Sequence, residues 1–198
     1  MRIVLASNSP RRRELLSGLG LEYKVRTMPG LDESYPEGLS MEEIPQYISR
    51  KKAAAYSLGA DEVLITADTI VWLDGEVLGK PANEEEARQM LRKLSGKTHQ
   101  VVTGVTLTYR NEELSIKNEE SLSHHSFASV SQVTFAQLSD AEIDYYVTHY
   151  RPLDKAGAYG IQEWIGYIGV TSIEGSYFNV MGLPVQRLYT EMKKLNLL

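Results

Sequence analysis

The sequence predicts an α/β fold, and three observations predict it. A short strand-forming run, Ile3-Val4-Leu5, passes through a Ser-Pro turn into a helix and returns to a second strand at 21–27, a strand-helix-strand opening. Two Val- and Thr- or Ser-rich runs, 99–109 and 126–135, read as long strands. Helical segments with paired start and stop signals recur at 10–19, 40–58, 83–94, 139–148 and 182–195. At 198 residues the chain is long enough for one sizeable core, or for two lobes sharing a sheet, and it is read as a single domain, 1–198.

In chain order, Ser9 is a good N-cap and Pro10 suits the first helical position; Leu15, Leu16 and Leu19 share a face and Gly20 stops the helix. Residues 28–40 form a polar loop whose Asp32 and Glu33, taken alone, read as surface acids. Ser40 and Glu43 have capping-box spacing for a helix running to Leu58, with Pro45 early in it and Gly59 as its stop. Ile48, Ala55 and Leu58 supply its apolar stripe, and Lys51 and Lys52 read as solvent cover. Strand residues 63–67 and 70–73 lead to Asp74-Gly75, the strongest hairpin signal in the chain, so 76–78 return antiparallel. Asn83 with Glu86 caps the next helix, and Ser139 with Glu142 caps a later one, in which Tyr145, Tyr146 and Tyr150 read as packing residues. Within the polar stretch 110–125, residues 113–116 suit a short strand, and His124 and His125 point to opposite sides if extended, a poor metal pair. Runs 170–173 and 176–180 read as strands around Glu174-Gly175.

Composition narrows the function classes. Net charge is −5 and the pI is about 5.5, against extended nucleic-acid or anionic-membrane binding. The absence of Cys excludes disulfides, thiolate catalysis and Cys-ligated zinc. No leader pattern precedes the first strand and no apolar run is long enough to span a bilayer, so the cytoplasm is the expected compartment.

Three stretches carry chemistry. Arg11, Arg12 and Arg13 crowd a helix start, where unpaired N–H groups already make the field positive. A bound phosphate would resolve that conflict through the N–H groups, the Ser9 hydroxyl and the guanidinium forks; a solvated turn paired with Glu14 and other acids is the alternative. Asp68 interrupts an apolar strand, which is costly for a carboxylate unless it is paired, hydrogen-bonded or metal-bound; it is a satisfied structural Asp or a functional acid. The stretch Asp154-Lys155-Ala-Gly-Ala-Tyr159-Gly160-Ile-Gln162 combines small residues with polar ends and reads as a ligand-facing loop. Lys80 is no Walker lysine, since no Gly-rich loop precedes it and Pro81 follows.

Read in order, the pieces are Ser-Asn-Ser-Pro-Arg-Arg (7–12), Leu-Asp-Glu (31–33), Lys-Lys-Ala (51–53), Ala-Asp-Thr (67–69), Gly-Lys-Pro (79–81), Ser-Gly-Lys-Thr-His (95–99), Thr-Gly-Val (103–105), Asp-Lys-Ala-Gly-Ala-Tyr-Gly-Ile-Gln (154–162) and Gly-Ser-Tyr-Phe-Asn-Val-Met-Gly-Leu-Pro (175–184). This series resembles the Maf family of nucleoside triphosphate pyrophosphatases over nearly the whole chain, although 110–130 carries none of the family's motifs. The resemblance implies an elongated mixed sheet flanked by helices, with two lobes and a nucleotide cleft, like inosine triphosphatases, and a homodimer. It implies cleavage of a nucleoside triphosphate between the α and β phosphates. Ser9, Arg11 and Arg12 are then the substrate-phosphate residues, and Asp68, Lys80, Lys52 and Glu33 the catalytic set. Asp68 and Glu33 are the candidate ligands of a divalent cation, Mg²⁺ or Mn²⁺. At the specificity positions Arg11, Thr69 and Gln162 the chain is similar to members preferring dTTP and UTP; Thr and Gln both donate and accept, so they can read a pyrimidine's carbonyl and imide edge. The partners so implied are a nucleoside triphosphate and a second copy of the chain, with neither nucleic acid nor membrane. Modified-base triphosphates are a rival substrate class, and a non-catalytic nucleotide sensor linked to septum formation is a rival function. Trp164 is read as a packing residue.

Overall fold

A computed structural model of the chain describes residues 1–110 and 122–198. Its elements are β1 (Arg2–Leu5), α1 (Pro10–Ser17), β2 (Tyr23–Val25), α2 (Glu43–Ala53), β3 (Glu62–Leu73), β4 (Glu76–Leu78), α3 (Glu84–Leu94), β5 (Thr98–Arg110), β6 (Leu122–Phe135), α4 (Asp140–Tyr150), a 3-10 turn (Ala156–Ala158), α5 (Trp164–Gly169), β7 (Val170–Glu174), α6 (Tyr177–Met181) and α7 (Val185–Lys194). The described strands form one sheet in the order β2-β1-β3-β5-β6-β7, with β4 paired to β3 outside that path. β1 is parallel to β2 and β3, whereas β3–β4 and β6–β7 are antiparallel, so the fold is α/β with a mixed sheet. The strand expected at 113–116 lies outside the described residues. No described helix is long and apolar enough to cross a membrane.

The chain divides into two compact units, the first made of Met1–Asp68, Thr103–Ser129 and Gly182–Leu198. β1 and the first half of β3 are its centre: Val4, Leu5, Val63, Leu64 and Ile65 are buried, as continuous apolar runs in parallel strands require. Ala53, Tyr56 and Leu58 pack on Val4 and Leu64, with Ala6 and Leu31 against them. α2 stops at Ala53 rather than at 58, because its last turn tightens: Ala55 and Tyr56 donate to carbonyls three residues back, at Lys52 and Ala53. That exit buries Tyr56 and leaves Ala55, expected in the apolar stripe, exposed. The N-terminal half of α2 lies directly on β5, where a Cβ on Gly104 would be 2.3 Å from the Pro45 carbonyl carbon and 2.4 Å from the Gln46 nitrogen. Ser49 and Thr106 hydroxyls meet at 2.7 Å beside this contact, and Thr66 donates to the Ser49 carbonyl, so polar groups at the close approach are satisfied. His124 and His125 do diverge, to Thr108 and Glu191.

The second unit is made of Thr69–Val102 and Val130–Met181. Its β3–β4 hairpin pairs Leu73 with Glu76 across Asp74 (φ 50°) and Gly75 (φ 89°), a two-residue loop with both centres left-handed, as Asp-Gly favours. α3 and α4 begin at Asn83 and Ser139, each side chain accepting the N–H three residues on. His99 is buried with Nε2 2.7 Å from the Tyr159 hydroxyl and its ring edge-on to Phe135; burial pushes its pKa down to about 4, so it is neutral near pH 7. The strand expected at 176–180 is instead helix α6. Gly175 (φ 116°) turns the chain out of β7, and the Ser176 hydroxyl accepts the Asn179 N–H, a helix start that outweighs the strand propensity of Tyr-Phe and Val.

Candidate functional site

In the first unit the chemistry gathers just beyond β1 and at Asp68, midway along β3. Ser9, leaving β1, caps α1 by accepting the Arg12 N–H at 3.4 Å. The Arg12 guanidinium reaches two carbonyls from distant segments, Gly182 through Nε at 2.7 Å and Ala67 through Nη1 at 3.0 Å. Arg13 donates to the Ser7 carbonyl. The cation conflict read from the sequence is therefore met in part by backbone carbonyls, and Arg12 is a structural pin as well as a charge. Burial lowers the Arg12 pKa; the Asp68 carboxylate pulls it back up, Arg11 lowers it and Glu33 raises it, so these four groups share one electrostatic neighbourhood.

Asp68 ends the unit's stretch of β3, and its side chain is 11% exposed. Lys52, on the last turn of α2, lies 2.7 Å from Asp68 Oδ1 and 2.8 Å from Glu33 Oε1. The mostly buried Asp68 is thus paired, by a lysine sixteen residues earlier, and two carboxylates are drawn within reach of one cation. Glu33 is set in place by its neighbours: Asp32 takes Lys51 Nζ at 2.6 Å and the Ser34 N–H and hydroxyl at 2.8 Å each. The Lys51 hydrogen bond, followed by those from Ser34, pulls the Asp32 pKa down to about 2. So Asp32 and Lys51, read as surface residues, tie the 31–34 loop to α2; the adjacent Leu-Asp-Glu and Lys-Lys motifs were the available signal. Among the described residues no group of three or more His, Asp or Glu is arranged to hold a metal. The pair Asp68 and Glu33 suits a hard cation that takes one or two carboxylates and completes its shell with water and phosphate oxygens.

Thr69, Lys80 and Gln162 belong to the second unit. Thr69 is the next residue of β3, and Lys80 is exposed just beyond β4, bordering a hollow shared with Glu86 and Lys93. The loop carrying Gln162 lies against both segments: Gly157 donates to the Gly79 carbonyl at 3.0 Å, and a Cβ on Gly157 would be 2.8 Å from Val71 Cγ2. Gln162 Oε1 is buried and finds no hydrogen-bond partner among the described residues. A buried orphaned acceptor is costly, and it suits a ligand that brings a donor. Trp164 packs on Tyr145, ring centroids 4.7 Å apart.

With this geometry in hand, comparison with known proteins is decisive about kinship. A model of the Maf-like protein family matches residues 2–195. The chain belongs to the Maf-like family. A Maf-like relative in Phocaeicola vulgatus named dTTP/UTP pyrophosphatase is 65% identical over 196 residues, 98% of this chain and 96% of its own. One of the same name in Bacteroides thetaiotaomicron is 60% identical over 195 residues, 98% of this chain and 95% of its own. A solved nucleoside-triphosphatase, dITP/XTP pyrophosphatase from Mycobacterium abscessus, covers 100% of the chain and 97% of its own at 14% identity and TM-score 0.42, a likeness too slight to carry weight.

Proposed function

We propose that this Maf-like chain, acting as one domain over 1–198, hydrolyses dTTP and UTP to the nucleoside monophosphate and pyrophosphate. The observation that carries the reading is the buried Asp68 held on the Lys52 ammonium at 2.7 Å beside Glu33 and the Arg-rich α1 turn. The names and high identity of its relatives support the substrate. Asp68 orients the attacking water and takes its proton. The water oxygen adds to the α phosphorus, and the bridging oxygen leaves with pyrophosphate. Ser9, Arg11, Arg12, Lys52 and Lys80 meet the phosphate charge, which grows on the leaving group as the bond breaks. Lys52, placed on Asp68 at 2.7 Å, also holds that carboxylate aimed. Asp68 and Glu33 would hold Mg²⁺ or Mn²⁺, which when bound lowers the pKa of water and neutralises phosphate charge. Arg11, Thr69 and Gln162 select the base, the orphaned Gln162 oxygen accepting from the N3–H of thymine or uracil, a donor that cytosine lacks.

The same proposal makes the enzyme a cytoplasmic homodimer binding neither nucleic acid nor membrane, in keeping with its net charge of −5. Product analysis tests the reaction. With Mg²⁺ or Mn²⁺, dTTP should yield dTMP and pyrophosphate in equal amounts; dTDP with orthophosphate, or tight binding without turnover, would contradict it.

A further inference from the structure

Gln162 ends a loop built under constraint. Gly157 (φ 67°) and Ala158 (φ 58°) are consecutive left-handed residues, and alanine holds that conformation only when its surroundings impose it. Farther along, the Gly160 N–H donates to the Tyr146 hydroxyl at 3.0 Å, and that hydroxyl donates to Glu163 Oε2. The other oxygen of Glu163 lies 3.1 Å from Lys155 Nζ, which also donates to Asp154 Oδ1 at 2.8 Å. Residues 155 and 163 are thereby tied to each other, closing the loop into a ring with Gln162 inside it. Tyr146 is fully buried, and burial, then its bond to Glu163 and that residue's charge, raise its pKa, keeping the hydroxyl a donor. The carboxylate packs closely on the loop: a Cβ at 160 would lie 2.8 Å from Glu163 Cδ, so a larger residue there would displace it. Lys155 and Tyr146 are buried polar groups with no part in the hydrolysis described above. Their common target is the residue next to Gln162.

We propose that Glu163, clamped between Tyr146 and Lys155, is a positioning residue that aims the Gln162 amide at the nucleobase, so base selectivity depends on this buried network. The proposal rests on Gln162 being the base reader. A fixed Gln162 presents its oxygen to the N3–H of thymine, whereas an amide free to turn can also offer its NH₂ to N3 of cytosine. Loosening the clamp therefore relaxes selectivity even though none of its three residues touches substrate.

The test is the ratio of kcat/KM for dTTP to that for dCTP in Tyr146→Phe, Glu163→Gln, Gln162→Ala and the Gln162→Ala/Tyr146→Phe double variant. Gln162→Ala should lower the ratio about tenfold or more. Tyr146→Phe and Glu163→Gln should each lower it about three- to tenfold, and Tyr146→Phe should add nothing once Gln162 is gone. The ratio is independent of the fraction of enzyme that is folded, so partial destabilisation does not obscure it, and a ratio from either clamp variant decides the matter. If both substrates lose rate equally, the network is merely structural and the proposal is overturned. If Gln162→Ala itself leaves the ratio unchanged, the reading of Gln162 fails first, a result distinct from a clamp variant failing beside an altered Gln162→Ala.

Discussion

Lys52→Met isolates the contact on which the site is built. It keeps the length of the side chain and removes the ammonium from between Asp68 and Glu33, 2.7 and 2.8 Å away. At such separations, with an effective dielectric of about 20, each attraction is worth about 6 kcal/mol before desolvation. Desolvation takes back most of this, because both Lys52 and Asp68 are nearly buried. Glu33 is 43% exposed and can turn into water, so its share is small. The Lys52–Asp68 coupling should therefore be about 1–3 kcal/mol. It is read from urea unfolding of wild type, Lys52→Met, Asp68→Asn and the double variant at pH 7 with chelator, so that no divalent cation replaces the ammonium. Removing Lys52 should destabilise the protein that retains Asp68 and matter much less once Asp68 is neutral. A cycle that closes to within about 0.3 kcal/mol would refute the pairing, since independent sites are additive to that level.

Three further outcomes follow from the packing. His99, at about pKa 4 when folded and 6.5 when unfolded, takes up its proton in the unfolded chain first, so it subtracts stability as pH falls from 6.5 to 4, by about 3 kcal/mol in all. His99→Gln should flatten that part of the stability profile, and an unchanged slope would contradict a buried neutral histidine. Gly104→Ala pushes a methyl into the backbone of α2 and should cost about 3 kcal/mol or more in urea unfolding; wild-type stability would contradict the close approach. Arg12→Lys keeps the charge but cannot reach both the Gly182 and Ala67 carbonyls, so it should lower Tm and raise KM for dTTP together, and an unchanged Tm would show the pin to be dispensable.

Local signals made much of the fold legible. Ser9-Pro10, Asn83 with Glu86 and Ser139 with Glu142 start helices where they stand, and Asp74-Gly75 turns a hairpin. Where two signals competed, the sequence misled: Tyr177 to Val180 carry strand propensity, but Gly175 and Ser176 decide for a helix. The helix expected to reach 58 ends at Ala53 because burying Tyr56 and Leu58 on Val4 and Leu64 requires the chain to leave the helical path. Asp68 was legible as a residue needing a partner, since an unpaired acid in an apolar strand is costly. Its partner was not, because Lys52 reaches it through the packing of α2 on β5 at Gly104, a tertiary contact without a periodicity. Tyr146 shows the same limit: its ring reads as packing, while its hydroxyl serves Gly160 and Glu163 in a loop that only the fold brings near.

The most direct test of the central claim is pyrophosphate release from dTTP by Asp68→Asn, measured with nucleotide affinity and Tm on the same preparation. Asparagine keeps the shape and a hydrogen bond to Lys52 but cannot take a proton from water. Turnover should fall by about 10²- to 10⁴-fold while dTTP still binds and the protein stays folded. Turnover at the wild-type rate would remove Asp68 from the reaction, and with it the account of how this site works.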